Sequence, residues 1–257
     1  MTLPICIFSY IYSKKKIILF VTLLVYLCLL CTNSRGSWIG FIISMIALVS
    51  YVYQFGYPKK TLLLTIISMA AITILFNLFN NNVFLGRFLS IFSDMNKVIT
   101  QDSKMEGAGS SRIFIWTRVI ALIKEKPVWG VGLETLGEAF SNNFKNDIVN
   151  YFGRAMTVDK AHNEYLHIAV STGIPSLIAY LAFLSNVLLK GFKQIKNNHF
   201  ILPLFCSVIG YLSQAFFSIS VVSVAPVFWI FLGILYKIVD DTEKSAMPVP
   251  TDHVLCA

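Results

Sequence analysis

Apolar runs at 17–33, 38–56, 61–79, 165–189, 200–220 and 222–238 alternate with polar segments along the chain. Runs of about 17–25 residues are long enough to cross a bilayer as helices. A helix bonds its backbone groups internally, as a lipid environment demands. The pattern predicts an all-α, polytopic membrane fold with about six spans. The polar stretch 80–160 breaks the alternation and is too long for a plain connection. Within it, Ile113, Trp116, Ile120 and Ile123 recur at helical spacing after a cap at Ser110 and Ser111. Pro127 and the Gly130-Val131-Gly132 turn end that helix. The expected organisation is residues 1–79 with an N-terminal segment and three spans, 80–160 as one large loop holding short amphipathic helices, 161–238 as three further spans, and 239–257 as a tail whose polar, proline-containing end EKSAMPVPTDHVLCA, 243–257, is expected to be disordered.

Charge assigns the sides. Lys14–Lys16 precede the first run, Lys59 and Lys60 separate the second from the third, and Lys190, Lys193 and Lys196 separate the fourth from the fifth. With six spans all three clusters fall on one face, which the positive-inside rule makes cytoplasmic. The Asn33–Ser37 turn, the 80–160 loop and the turn near Ser220 are then external, and both ends of the chain are cytoplasmic. The expected location is the cytoplasmic (inner or plasma) membrane, multi-pass, with the large loop outside.

Composition supports this class. Hydrophobic residues make up 56% and charged residues 13% of the 257, against about 25% charged in soluble domains. The net charge of +8 sits in clusters between apolar runs, and no nucleic-acid-binding motif accompanies it. None of the five cysteines falls in 80–160, which argues against a disulfide-stapled ectodomain. Cys28 and Cys31 form a CxxC inside an apolar run and read as small hydrophobes. Asn33-Ser34-Arg35 is a poor cleavage site, so the first run reads as a retained span.

Four cation-bearing positions fall on or near the external face: Arg35 in NSRGSW, Arg87 in LGRFL, Arg112 in SSRIFIW and His162 in AHNEYLH. Arginine presents a planar, permanently charged fork that suits phosphate, and histidine titrates near neutrality, which suits proton transfer. Together they fit a lipid diphosphate and an acceptor hydroxyl that must lose a proton. Plainer readings stand beside this one. An interfacial arginine also snorkels to headgroups, Arg112 also opens a helix, His162 also caps one, and Gly130 with Gly132 also makes a simple turn. The two histidines of HNEYLH are five residues apart, about 140° around a helix, so they do not form an HExxH-type metal pair. No metal and no cofactor is expected. No GxSxG, Walker loop or dinucleotide fingerprint occurs.

These segments resemble the O-antigen ligase and polymerase superfamily, bacterial transferases of lipid-linked oligosaccharides. SRGSW at 34–38 resembles the family's arginine segment between spans. SSRIFIWTRVIALIKEKPVWGVGLETLGEAF at 110–140 is similar to its succession of Arg, Trp, Pro and GxG. HNEYLHIAVSTGIPS resembles its histidine motif, His-Asn followed after nine residues by Gly, here His162, Asn163 and Gly173. The likeness covers roughly residues 30–235 and corresponds to the C-terminal portion of the family pattern. It implies transfer of a glycan from a polyprenyl diphosphate to an acceptor hydroxyl, without a required metal. It implies His162 as the catalytic base, and Arg112, Arg35 and, less directly, Arg87 as diphosphate ligands. Asn163, Glu164, Trp116, Gly130 and Gly132 would be supporting residues. The implied partners are a polyprenyl-diphosphate-linked oligosaccharide, a glycan or lipid-glycan acceptor and membrane lipids, with no nucleic acid. Pro175 is expected to bend the fourth span beside His162. Two alternatives remain open on the sequence: a non-catalytic or truncated membrane glycan-binding subunit, and a polysaccharide transporter.

Overall fold

A computed structural model describes residues 1–100 and 108–246. Among the described residues the fold is all-helical: α1 (Thr2–Ser13), α2 (Lys16–Cys31), α3 (Arg35–Gln54), α4 (Lys59–Phe79), α5 (Val83–Ile99), α6 (Ala108–Glu125), α7 (Leu136–Phe152), α8 (Glu164–Thr172), α9 (Ile174–Gln194), α10 (Ile201–Ala215) and α11 (Ala225–Ala246). The tail expected to be disordered starts at Glu243, but Glu243–Ala246 continue α11 as its last turn; the rest of it, 247–257, lies outside the described residues. Three helices, α3, α4 and α9, are long and apolar enough to cross a membrane. Shorter apolar helices α1, α2 and α10 pack with them, as in a helical membrane protein.

The apolar runs read from the sequence become helices with shifted ends, because local chemistry sets the boundaries. The Ser34 hydroxyl accepts the Ser37 N–H at 3.4 Å and caps α3. Asn80, Asn81 and Asn82 separate α4 from α5, two of them at positive φ, where asparagine is tolerated. Residues 2–13, read only as a leading segment, form α1, with Ile7 and Ile11 buried against the other helices.

The largest departure is in the run 165–189. It is two helices, α8 and α9, broken at Gly173, whose φ of 92° and ψ of 165° lie outside helical space. The Tyr180 hydroxyl reaches back to Glu164 at 3.0 Å, so α8 folds down along α9 as a hairpin. Pro175 does not make this bend. It sits in the first turn of α9, where a missing N–H costs no helical hydrogen bond.

Buried side chains form two clusters. One joins α1–α4 with α9–α11, and the other joins α6, α7, residues 158–161 and α8. In the first, α3 and α10 approach through small residues. A Cβ on Gly36 would meet Phe217, and one on Gly210 would lie 3.1 Å from the Ser44 Cβ. Such small-residue seams let membrane helices pack at backbone distance. The pairing places Arg35, at the start of α3, level with the end of α10. At the opposite end, the Tyr51 hydroxyl donates to the Ile195 carbonyl at 2.8 Å, and the Tyr57 and His199 rings lie 5.6 Å apart. Tyr12 meets Phe200 there too. The three lysine clusters thus gather at one end of the bundle, and Arg35 stands at the other.

In α6 the buried face is Phe114, Ile115, Val119, Leu122 and Ile123, while Ile120 is exposed. The spacing through Ile120 therefore named a face rotated from the real one. Apolar residues lie nearly all round this helix, so their period alone left its orientation open.

Candidate functional site

Arg35 ties three elements together. One terminal nitrogen donates to the Ser90 hydroxyl at 3.1 Å and to Asp94 at 2.6 Å, both on α5. The other donates to the Ser110 hydroxyl at 2.9 Å, at the start of α6. Three of the five N–H donors of a guanidinium are engaged in these contacts, which leaves two for a ligand. Ser110 and Ser111 take positive φ values of 61° and 66°. They turn their hydroxyls to Arg35 and Tyr151 in place of the helix-capping role their position suggests.

Arg112 follows on the first turns of α6 and is half-buried. Burial, and then the neighbouring charge of Arg35, lower its pKa. The bond from Arg35 to Ser110, two residues before Arg112, brings two guanidinium groups from distant parts of the chain into one patch. His162 borders the same patch. Its pKa is lowered, first by burial against neighbouring groups and then by the charge of Arg112, while Asp159 pulls it up. The residue itself remains exposed at the surface, so a substrate can reach the imidazole.

The backbone around His162 is held from the side. His162 has a φ of 51°, a left-handed conformation that costs a non-glycine residue roughly 1–2 kcal/mol. The Trp116 indole donates to the Ala161 carbonyl at 2.9 Å, and the Trp116 ring meets Phe216 edge-on at 5.5 Å. On the other side of His162, the Asn163 side chain accepts the Leu166 N–H at 3.0 Å and caps α8. Glu164 is buried beneath two tyrosine hydroxyls, Tyr180 at 3.0 Å and Tyr211 at 3.1 Å. Burial raises its pKa. Asn163 and Glu164 thus have partners within the protein that anchor the start of α8.

The GxG turn clamps the far end of α8. Val131 N–H donates to Val170 O at 2.7 Å, Gly132 N–H to Ser171 O at 3.1 Å, and Ile174 N–H to Pro127 O at 2.8 Å. A side chain on Gly130 would sit 2.5 Å from Val170 O, and one on Gly173 would collide with the Val128 carbonyl. The Lys160–Glu134 ion pair at 2.8 Å ties this turn also to the segment before His162. The proline–glycine motif and the histidine motif are therefore two halves of one packed unit.

Of the sequence-predicted positions, the structure brings together Arg35, Arg112 and His162, with Trp116 and the glycines supporting them. Arg87 stands apart. It is exposed on α5, one turn before Ser90 on the same stripe, and makes no ion pair among the described residues. Sequence reading missed Asp94 and Ser90 as partners of Arg35, and Tyr180 and Tyr211 as partners of Glu164. Nothing local marks them, since each lies far along the chain from the group it meets. Among the described residues, no three His, Cys, Asp or Glu side chains gather so that they could hold a metal ion.

A family model described as O-antigen ligase matches residues 18–181, a range that includes Arg35, Arg87, Arg112 and His162. No curated protein and no solved structure matches the chain. With more than half of its length matched, the chain belongs to the O-antigen ligase family.

Proposed function

We propose that this protein transfers an oligosaccharide from a polyprenyl diphosphate to an acceptor hydroxyl at the external face of the cytoplasmic membrane. Family membership supports a membrane glycan ligase or polymerase in general. The finer reading is carried by one observation: α6 is bonded to Arg35 through Ser110 and, through Trp116, to the Ala161 carbonyl next to His162, so Arg112 lies on the helix that joins Arg35 to His162.

In this reading Arg112 and the remaining donors of Arg35 hold the diphosphate, and Arg87 adds a cation at the rim. His162, whose lowered pKa favours its neutral form, accepts the proton of the acceptor hydroxyl while that oxygen bonds to the anomeric carbon. The bond from that carbon to the phosphate oxygen breaks, and the charge stays on the polyprenyl diphosphate facing the arginines. Preorganised cations at a developing negative charge are among the strongest contributions to catalysis, and a positioned imidazole typically adds 10²–10⁴-fold. Trp116, Gly130 and Gly132 hold the segment that presents His162.

Two further features support the reading. The lysine clusters lie at the end of the bundle opposite Arg35, as expected if α2, α3, α4, α9, α10 and α11 are six spans with the site outside. An apolar groove of about 660 Å³ between α2, α3 and α4, lined by Tyr26, Phe41, Met45, Ile66, Met69 and Thr73, starts roughly 9 Å along α3 from Arg35. A groove so placed suits the isoprenoid chain of a donor whose diphosphate lies at the arginines.

The test is transfer from a polyprenyl-diphosphate-linked oligosaccharide by vesicles holding the parent chain or His162→Ala at equal abundance. Transfer by the parent and loss in the variant is expected. Equal transfer by both removes His162 as the base. Donor binding without transfer by either identifies a glycan-binding subunit instead.

A further inference from the structure

α5 has a face that nothing among the described residues covers. It spans 17 residues, about 25 Å. Phe84 and Phe88 pack on Trp38 with ring centroids at 4.6 and 6.3 Å, and Ser90 and Asp94 bond Arg35. Phe84 to Asp94 covers roughly 15 Å of helix, yet among the described residues their ring and hydrogen-bond contacts with α3 fall at positions 35 and 38, about one turn. A helix running alongside α3 would meet it over many turns. α5 therefore lies across the end of α3, and its start is tied to the end of α4 by the Phe76–Phe84 contact at 6.2 Å.

The outward side of this crosswise helix is apolar. Leu85, Leu89 and Phe92 follow at i, i+4 and i+7, and are 47%, 54% and 51% exposed. The polar stripe of Arg87, Ser90 and Asp94 lies on another side, with Arg87 and Leu89 roughly 160° apart. α4, one of the helices long and apolar enough to span a membrane, leads into α5 after only Asn80–Asn82, with Leu78 and Phe79 exposed at the join. A helix joined to the end of a span by three residues and lying across it sits at the depth where hydrocarbon meets headgroups. Helices with one apolar and one charged face settle there, burying the apolar face 5–10 Å.

We propose that α5 is an interfacial helix that inserts Leu85, Leu89 and Phe92 into the outer leaflet and thereby holds the Arg35–Asp94 pair at headgroup depth. The occupant of the apolar face is the lipid bilayer itself. The consequence for the site rests on the transferase reading: a diphosphate on a lipid carrier lies at this depth, so Arg35 meets it without being drawn into hydrocarbon. The lipid contact itself requires no substrate and is tested without one.

The experiment places a tryptophan at Leu89 or at Arg87 in the full chain. Each variant is reconstituted into phosphatidylcholine–phosphatidylglycerol vesicles, with and without brominated acyl chains. Emission of the parent protein, with its own tryptophans, is subtracted and also reports folding. The added emission of Leu89→Trp is expected to lose roughly half or more of its intensity in brominated vesicles, and that of Arg87→Trp much less. Equal quenching at the two positions overturns the proposal. So does quenching of Leu89→Trp by aqueous acrylamide alone, or its protection from both quenchers, which would mean a protein partner or a second copy on this face. Loss of glycan transfer in either variant bears on the transferase reading and leaves the quenching result intact.

Discussion

The Trp116 indole N–H donates to the Ala161 carbonyl at 2.9 Å, joining α6 to the residue immediately before His162. The bond crosses 45 residues of chain and couples the arginine-bearing helix to the histidine turn. Through it, the position of the candidate base depends on the packing of the same helix that carries Arg112.

Trp116→Phe keeps the ring against Phe216 and removes the donor. A buried hydrogen bond contributes about 1 kcal/mol, so the thermal midpoint falls by a few degrees at most. Transfer is expected to fall further, about tenfold or more, because a small misplacement of a reacting group is costly. Parallel measurement of unfolding and turnover checks this. Proportional losses in both would leave Trp116 a packing residue only.

The rate should follow the neutral form of His162. Burial and then Arg112 lower its pKa from 6.5, which favours the neutral base near neutral pH and lets it be lost only as pH falls through the lowered pKa. The acid limb of kcat/KM is expected below pH 6.5. Arg112→Gln removes the second cause and moves the limb to higher pH, together with a lower rate from the missing cation. A limb above pH 6.5 in the parent would contradict this arrangement.

Glu164 gives a stability dependence of the opposite sense. Burial raises its folded pKa above 4.5, against the hydrogen bonds from Tyr180 and Tyr211. A carboxyl with a raised folded pKa contributes stability that is complete below the unfolded value and is lost as pH rises through the folded one. The parent should therefore lose thermal stability relative to Glu164→Gln as pH rises from about 4.5 through the folded pKa. Unfolding midpoints of the two proteins across that range decide it. Parallel curves would mean that the carboxyl is not perturbed.

Gly173→Ala puts a Cβ into the Val128 carbonyl at a residue with a φ of 92°. Steric collision with backbone and an unfavourable dihedral act together, so a loss of about 2–4 kcal/mol is expected. Gly56→Ala is the control. It also has positive φ, but nothing lies within 4 Å of its added Cβ, so it should cost only about 1–2 kcal/mol. Thermal unfolding of both variants in detergent measures the difference.

Much of the helical layout could be read along the chain. Lys59 to Phe79 is apolar and uninterrupted, so its helix was visible from hydropathy. The break at Gly173 was less so, because residues 165–189 are apolar on both sides of it and Pro175 drew the bend two residues too far. α5 was hidden for another reason: its apolar stripe serves half as core, against Trp38, and half as exposed face. Arg35, Arg112 and His162 were legible as chemistry because they stand in short motifs whose residue types suit phosphate and proton transfer.

Hydropathy and charge are properties of consecutive residues, and by themselves they determined the membrane class, the approximate helices and the end at which the lysines gather. The tertiary structure alone decided which side chains meet. Arg35 finds Asp94 across 59 positions, and Glu164 finds Tyr211 across 47. Such pairs form because α5 packs across the end of α3 through Trp38 and α8 folds back at a glycine. Those packing choices depend on the shapes of surfaces far apart in the chain, which no local window contains.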